Sequence, residues 1–116
     1  MINIIASSRY LLPRKQIKKF GDELIEQAGY NDKYVLNIVF VGKIKMREIS
    51  LKYKKEDEAL PVLSFSYLQK GSPTDLLIGE IFICYPQLVL LAAERQKKVD
   101  KVLFDLIYHG FENIVQ

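Results

Sequence analysis

Val35-Leu-Asn-Ile-Val-Phe-Val41 is a nearly continuous apolar run rich in branched residues. It reads as a strand covered on both faces, because a strand with one wet face alternates apolar and polar residues. Upstream, Ile2 to Ala6 is a short β-branched segment and reads as another strand. Between the two, Pro13 suits the first turn of a helix, and Ile17, Phe20, Leu24 and Ala28 recur at helical spacing. Lys15, Lys18, Lys19, Asp22 and Glu23 take the wet side of that helix, and Gly29 supplies its stop. Strands separated by a helix favour parallel pairing.

Downstream, Gly42 breaks the run, and a second helix follows to about Tyr53 with Met46, Ile49 and Tyr53 as its buried stripe. Val62 to Tyr67 and Leu76 to Cys84 read as the third and fourth strands. The turn cluster Lys70-Gly-Ser-Pro73 lies between them, so they form an antiparallel hairpin. Pro86 opens a third helix to about Lys98. Asp100 is placed to cap a last helix with Leu103, Leu106, Ile107, Phe111 and Ile114 inward. The expected order is β-α-β-α-β-β-α-α. This is a single α/β (α+β) domain over residues 1–116, with a mostly parallel four-stranded sheet, one antiparallel strand and packing helices.

Length and composition agree with one domain. The chain has 116 residues, 49% hydrophobic and 27% charged, and such a chain buries enough surface to fold without staples. Its one cysteine, Cys84, excludes an internal disulfide and fits a reducing compartment. The apolar run Ile2 to Ala6 has no basic residue ahead of it, unlike a secretory signal. No apolar stretch is long enough to cross a bilayer. A cytoplasmic location without a membrane partner is expected. The net charge of +3 permits an RNA partner without requiring one.

Clustering of charge says more than its total. Lys43, Lys45, Arg47, Lys52, Lys54 and Lys55 crowd the second helix and its exit. Lysines bind phosphate as point charges and release counterions, so this could be a phosphate-tracking surface. It could equally be a solvated helix face, since Glu48, Glu56, Asp57 and Glu58 dilute the field. His109 is the chain's single histidine, so the chain alone cannot build a multi-histidine metal site. Asp105 lies one turn before His109 and Asn113 one turn after, on one helix face, with Glu112 close by. Such a face could hold an ion weakly, but asparagine is a poor zinc ligand, and a structural or half-exposed histidine is the plainer reading. Cys84 reads as a small hydrophobe and Ser64 as a small strand residue. Gly71, Gly79 and Gly110 form no phosphate-loop pattern.

Three segments in order resemble the YbeY family of bacterial ribosomal-RNA maturation endoribonucleases. Ile49-Ser-Leu-Lys-Tyr-Lys-Lys-Glu-Asp57 and Val62-Leu-Ser-Phe65 resemble the family's Leu-Asn-x-x-Tyr-Arg-x-Lys-Asp and Thr-Asp-Val-Leu-Ser-Phe-Pro. Gly79-Glu-Ile-Phe-Ile83 resembles its Gly-Asp-Ile-x-Ile strand. Leu106-Ile-Tyr-His-Gly-Phe111 resembles the start of its His-Gly-x-x-His helix. The resemblance spans nearly the whole chain, most clearly from the second strand onward.

The resemblance implies single-strand endoribonuclease activity on ribosomal RNA, with ribosomal RNA or the small subunit as partner and DNA not expected. It implies a zinc centre held by three histidines, two of them a helical turn apart and the third in a Gly-Tyr-Asp-His tail. By position His109 matches the first ligand and a catalytic role, while the second position is Asn113 and the third falls beyond Gln116. Lys54 stands at the family's arginine, keeping the charge without the bidentate fork. Leu60-Pro61 replaces Thr-Asp, and a proline removes a backbone donor. In this reading RNA lies near Lys54, Lys55, Ser64 and His109, with Lys54 and His109 carrying any chemistry. The chain is then a degenerate or truncated member with weak or absent metal-dependent cleavage. The alternatives are a non-catalytic RNA- or ribosome-binding relative and the truncated product of a longer reading frame.

Overall fold

A computed structural model describes residues 1–68 and 76–116, and the expected turn at Lys70–Pro73 lies outside them. The element order is β1 (Ile2–Ile5), α1 (Arg14–Gln27), β2 (Val35–Val41), α2 (Lys43–Lys54), β3 (Val62–Ser66), β4 (Leu77–Cys84), α3 (Tyr85–Glu94) and α4 (Val99–Val115). The strands form one sheet in the order β1-β2-β4-β3. β1 and β4 flank β2 in parallel, and β3 closes one edge antiparallel to β4. The expected mixed α/β fold is therefore the one observed.

Strand alternation divides the side chains between two faces. Leu36, Ile38 and Phe40 of β2 and Ile81 and Ile83 of β4 pack with α1, α3 and α4 around the main core. On the other face, Met46 and Ile49 of α2 enclose a smaller cluster with Leu63 and Cys84. β2 was expected to be covered on both faces. Instead its residues alternate between buried and half-buried, because the second face carries only the α2 cluster.

Asn37, the polar residue inside that run, has a specific place. Its Nδ2 donates to Oε2 of Glu80 at 3.1 Å, and its Oδ1 accepts from Nδ2 of Asn3 at 3.1 Å. The Tyr67 hydroxyl donates to Oε1 of Glu80 at 2.7 Å. Asn3, Asn37 and Glu80 are register partners, so this polar row crosses the sheet from one edge strand toward the other.

Several element ends differ from expectation. α3 stops at Glu94 rather than near Lys98, with Gln96 left-handed at φ 54°. The N–H groups of Gln96 and Lys97 donate to the carbonyls of Ala93 and Ala92. That is the closure glycine usually provides, here without a glycine to announce it. α4 begins after Lys98, and Asp100 sits in its first turn instead of capping it, where a carboxylate favours the positive helix end. Tyr53, expected inside, is 55% exposed. Ala28 follows the last turn of α1 and is exposed, while Gly29 ends that helix at φ 91° as expected.

Candidate RNA cleft

The end of α2, the edge strand β3 and α4 enclose a cleft of about 540 Å³. Lys54, Glu56, Leu60, Ser64, His109 and Asn113 line it. Each arrives by a local cause. Lys54 is the last residue of α2, and Lys55 turns the chain away in a left-handed conformation at φ 57°, its N–H donating to the Ser50 carbonyl. Ser64 points to the α4 side of β3 because its neighbours Leu63 and Phe65 face α2. His109 and Asn113 share one exposed helix face.

Two contacts fix α4 against the sheet and so place His109. The Ser66 hydroxyl donates to the Ile114 carbonyl at 2.9 Å, tying the last turn of α4 to β3. Gly110 rests on Ile81, where an added Cβ would lie 3.0 Å from Cγ2. The main-core residues Ile107, Phe111 and Ile114 occupy the opposite side of α4.

Lys54, Ser64, His109 and Asn113 thus come together from distant parts of the sequence. Lys55, expected on the RNA surface, does not line the cleft. Asp105 and Glu112 do not line it either. Asp105 accepts from Nζ of Lys101 at 3.2 Å, and Glu112 beside Tyr108 pushes that phenol above its ordinary range. Glu56 and Leu60 line the cleft although the sequence named them only as a diluting charge and as part of the Leu60-Pro61 replacement. Pro61 contributes no donor, but its carbonyl accepts from the Cys84 N–H at 3.0 Å. Cys84 is fully buried, and burial holds its thiol above the ordinary range, as befits a packed side chain rather than a nucleophile.

The cleft offers one imidazole, one hydroxyl, one ammonium, one amide and one carboxylate. Among the described residues no three of His, Cys, Asp and Glu converge where a metal ion could be held. This donor set does not fit a three-histidine zinc centre. It does suit a phosphate diester: Lys54 supplies charge, and Ser64 and His109 supply hydrogen-bond donors.

The fold and cleft define a small α/β protein with a polar, lysine-bearing cleft between a sheet edge and a histidine-bearing helix. The family model described as "Endoribonuclease YbeY" matches residues 6–112. An endoribonuclease YbeY of Dehalococcoides mccartyi is 30% identical over 125 aligned positions, covering 94% of this chain and 75% of that protein. An endoribonuclease YbeY of Malacoplasma penetrans is 24% identical, covering 85% of this chain and 66% of that protein. A solution structure of a Thermotoga maritima protein has the same fold, with a TM-score of 0.69 at 19% identity over 100% of this chain and 73% of that one. The chain belongs to the YbeY endoribonuclease family. That family is metal-dependent, which sets its usual chemistry against the donor set of this cleft.

Proposed function

We propose that this protein is a ribosomal-RNA maturation factor that binds single-stranded RNA in the cleft between β3 and α4, with weak metal-dependent cleavage. Lys54 neutralises a phosphate as it enters. Ser64 Oγ and a His109 N–H donate to its oxygens, and Glu56 limits how many phosphates the cleft accepts. The carrying observation is that Lys54, Ser64, His109 and Asn113 line one cleft; by resemblance to the family, Asn113 stands where a second imidazole is expected. One imidazole grips a hydrolytic cation far less firmly than three.

The test measures zinc content, RNA binding and cleavage for the native chain and His109→Ala. The reading expects salt-sensitive RNA binding, substoichiometric zinc and little cleavage. Stoichiometric zinc, with efficient cleavage abolished by a chelator, would overturn the impaired-catalysis half. Absence of RNA binding at low salt would overturn the whole. A purely binding relative is the second reading, favoured by Asn113. It predicts RNA affinity unchanged by chelator and no cleavage above a His109→Ala baseline. We place the protein in the cytoplasm, where ribosomal RNA is processed; among the described residues no helix is long and apolar enough to cross a membrane.

A further inference from the structure

A second cleft of about 590 Å³ lies on the other side of β3, between α2 and the sheet. Tyr53, Phe65 and Phe82 line it, with Lys45 and Lys52 beside them. The Phe65 ring meets Tyr53 edge to face at 5.0 Å and Phe82 at 5.7 Å, so the rings form a continuous aromatic wall. Tyr53 is 55% exposed. Lys52 Nζ lies 5.2 Å from the Tyr53 ring centroid.

We propose that this aromatic cleft is a base-stacking subsite for single-stranded RNA whose backbone runs on into the cleft of Lys54 and His109. The inference rests on the RNA-binding reading above and adds a second point of contact to it. Both clefts share the same two elements. On α2, Tyr53 faces one cleft and its neighbour Lys54 the other; on β3, Phe65 faces one and its neighbour Ser64 the other. A strand crossing this sheet edge therefore meets an aromatic surface and a phosphate-binding surface within adjacent nucleotides.

Aromatic rings interleaved with lysines suit a nucleotide better than a purely apolar partner. Rings accept any base by its π-face while ammonium groups take the flanking phosphates. A base sliding over Tyr53 displaces the Lys52 ammonium from the ring toward the next phosphate. The two carboxylates of this cleft do not prevent this. Both oxygens of Glu80 already accept hydrogen bonds, from Tyr67 and Asn37. Glu48 is drawn to Lys45 at 4.0 Å, which leaves Lys52 as the ammonium for a flanking phosphate.

The test is equilibrium binding of the full chain to an oligouridylate of about 12 nucleotides and to an abasic oligomer of equal length. Tyr53→Ala is expected to weaken oligouridylate binding about tenfold. Tyr53→Phe retains binding, and Tyr53→Leu, which keeps bulk without a ring, loses it. The abasic oligomer binds weakly and is insensitive to all three substitutions. Lys54→Ala weakens both probes and lowers the salt dependence by about one counterion. If Lys54→Ala weakens binding while every Tyr53 variant leaves the oligouridylate affinity intact, the stacking subsite is wrong, the RNA reading survives, and the aromatic cleft is left to a protein partner. If neither probe binds at low salt, both readings fall.

Discussion

Tyr67 and Glu80 are joined by a 2.7 Å hydrogen bond that completes the polar row across the sheet. Burial first, and the Glu80 carboxylate second, push the Tyr67 phenol up to about 12. In the unfolded chain a tyrosine ionises near ~10. The folded state therefore holds this proton more tightly. The resulting stabilisation is complete below pH ~10 and is lost as pH rises through the folded value of about 12. Denaturant midpoints measured across that window should fall for the native chain. The fall should be shallower for Tyr67→Phe, and the difference between the two isolates this group from the other tyrosines. Parallel curves would mean that Tyr67 ionises alike in both states.

Gly79 sits where β4 runs beside β3 and under the end of α4. A Cβ there would lie 2.6 Å from the Phe65 carbonyl oxygen and 2.8 Å from Cδ1 of Ile114. Backbone cannot step aside as a flexible side chain can. Gly79→Ala should therefore cost about 1–3 kcal/mol of stability, as overpacking does. It should also loosen the end of α4 that the Ser66 hydroxyl holds. Chemical denaturation checks the first effect and amide exchange at Ile114 to Gln116 the second. An unchanged midpoint would show that the strands separate freely at this point.

Ser50 is fully buried on α2, and its hydroxyl has no hydrogen-bond partner among the described residues. An unsatisfied buried hydroxyl is costly, and alanine is the better helix former. Ser50→Ala should raise stability by about 1 kcal/mol. A drop of that size in the denaturation midpoint would instead reveal a bond made by this hydroxyl in solution.

Asn113 lies one helical turn after His109 on the same exposed face. Asn113→His should create a two-imidazole clamp of the spacing that suits zinc and cobalt. Titration with cobalt, read by its visible absorption, should show at least about tenfold tighter binding than the native chain. Adding His109→Ala to the variant should abolish the gain. No change in cobalt affinity would show that the two side chains cannot converge on one ion.

The mixed sheet follows from signals that are local in sequence, but its order β1-β2-β4-β3, with β4 set beside β2, was not read from them. Val35–Val41 marked a strand near the centre, and the short Tyr67–Leu76 interval set the antiparallel hairpin of β3 and β4. The inward stripe of α4 was read correctly from its spacing. Helix ends were less legible where Lys55 and Gln96 adopt left-handed conformations that glycine usually signals. Tyr53 was misplaced because α2 covers only part of its sheet face, and coverage depends on partners rather than on period. Lys54 and His109 stood out by charge clustering and by the single imidazole, whereas Ser64 was nameable only through a family motif. Their meeting depends on the packing of α4 against an edge strand, which spacing alone does not encode. The i,i+4 spacing of Lys101 and Asp105 did offer their ion pair, which draws the Asp105 carboxylate away from use as a ligand.

Consecutive residues Ser64 and Phe65 serve opposite surfaces of the molecule, and nothing but the two-residue repeat of the strand keeps those assignments apart. Deleting or inserting a single amino acid within positions 62–66 would exchange them. A phenyl ring would be thrust toward the histidine, and a hydroxyl would be left among rings. The segment is therefore far less forgiving of length changes than of substitutions, and frame-preserving indels there should be absent from functional variants.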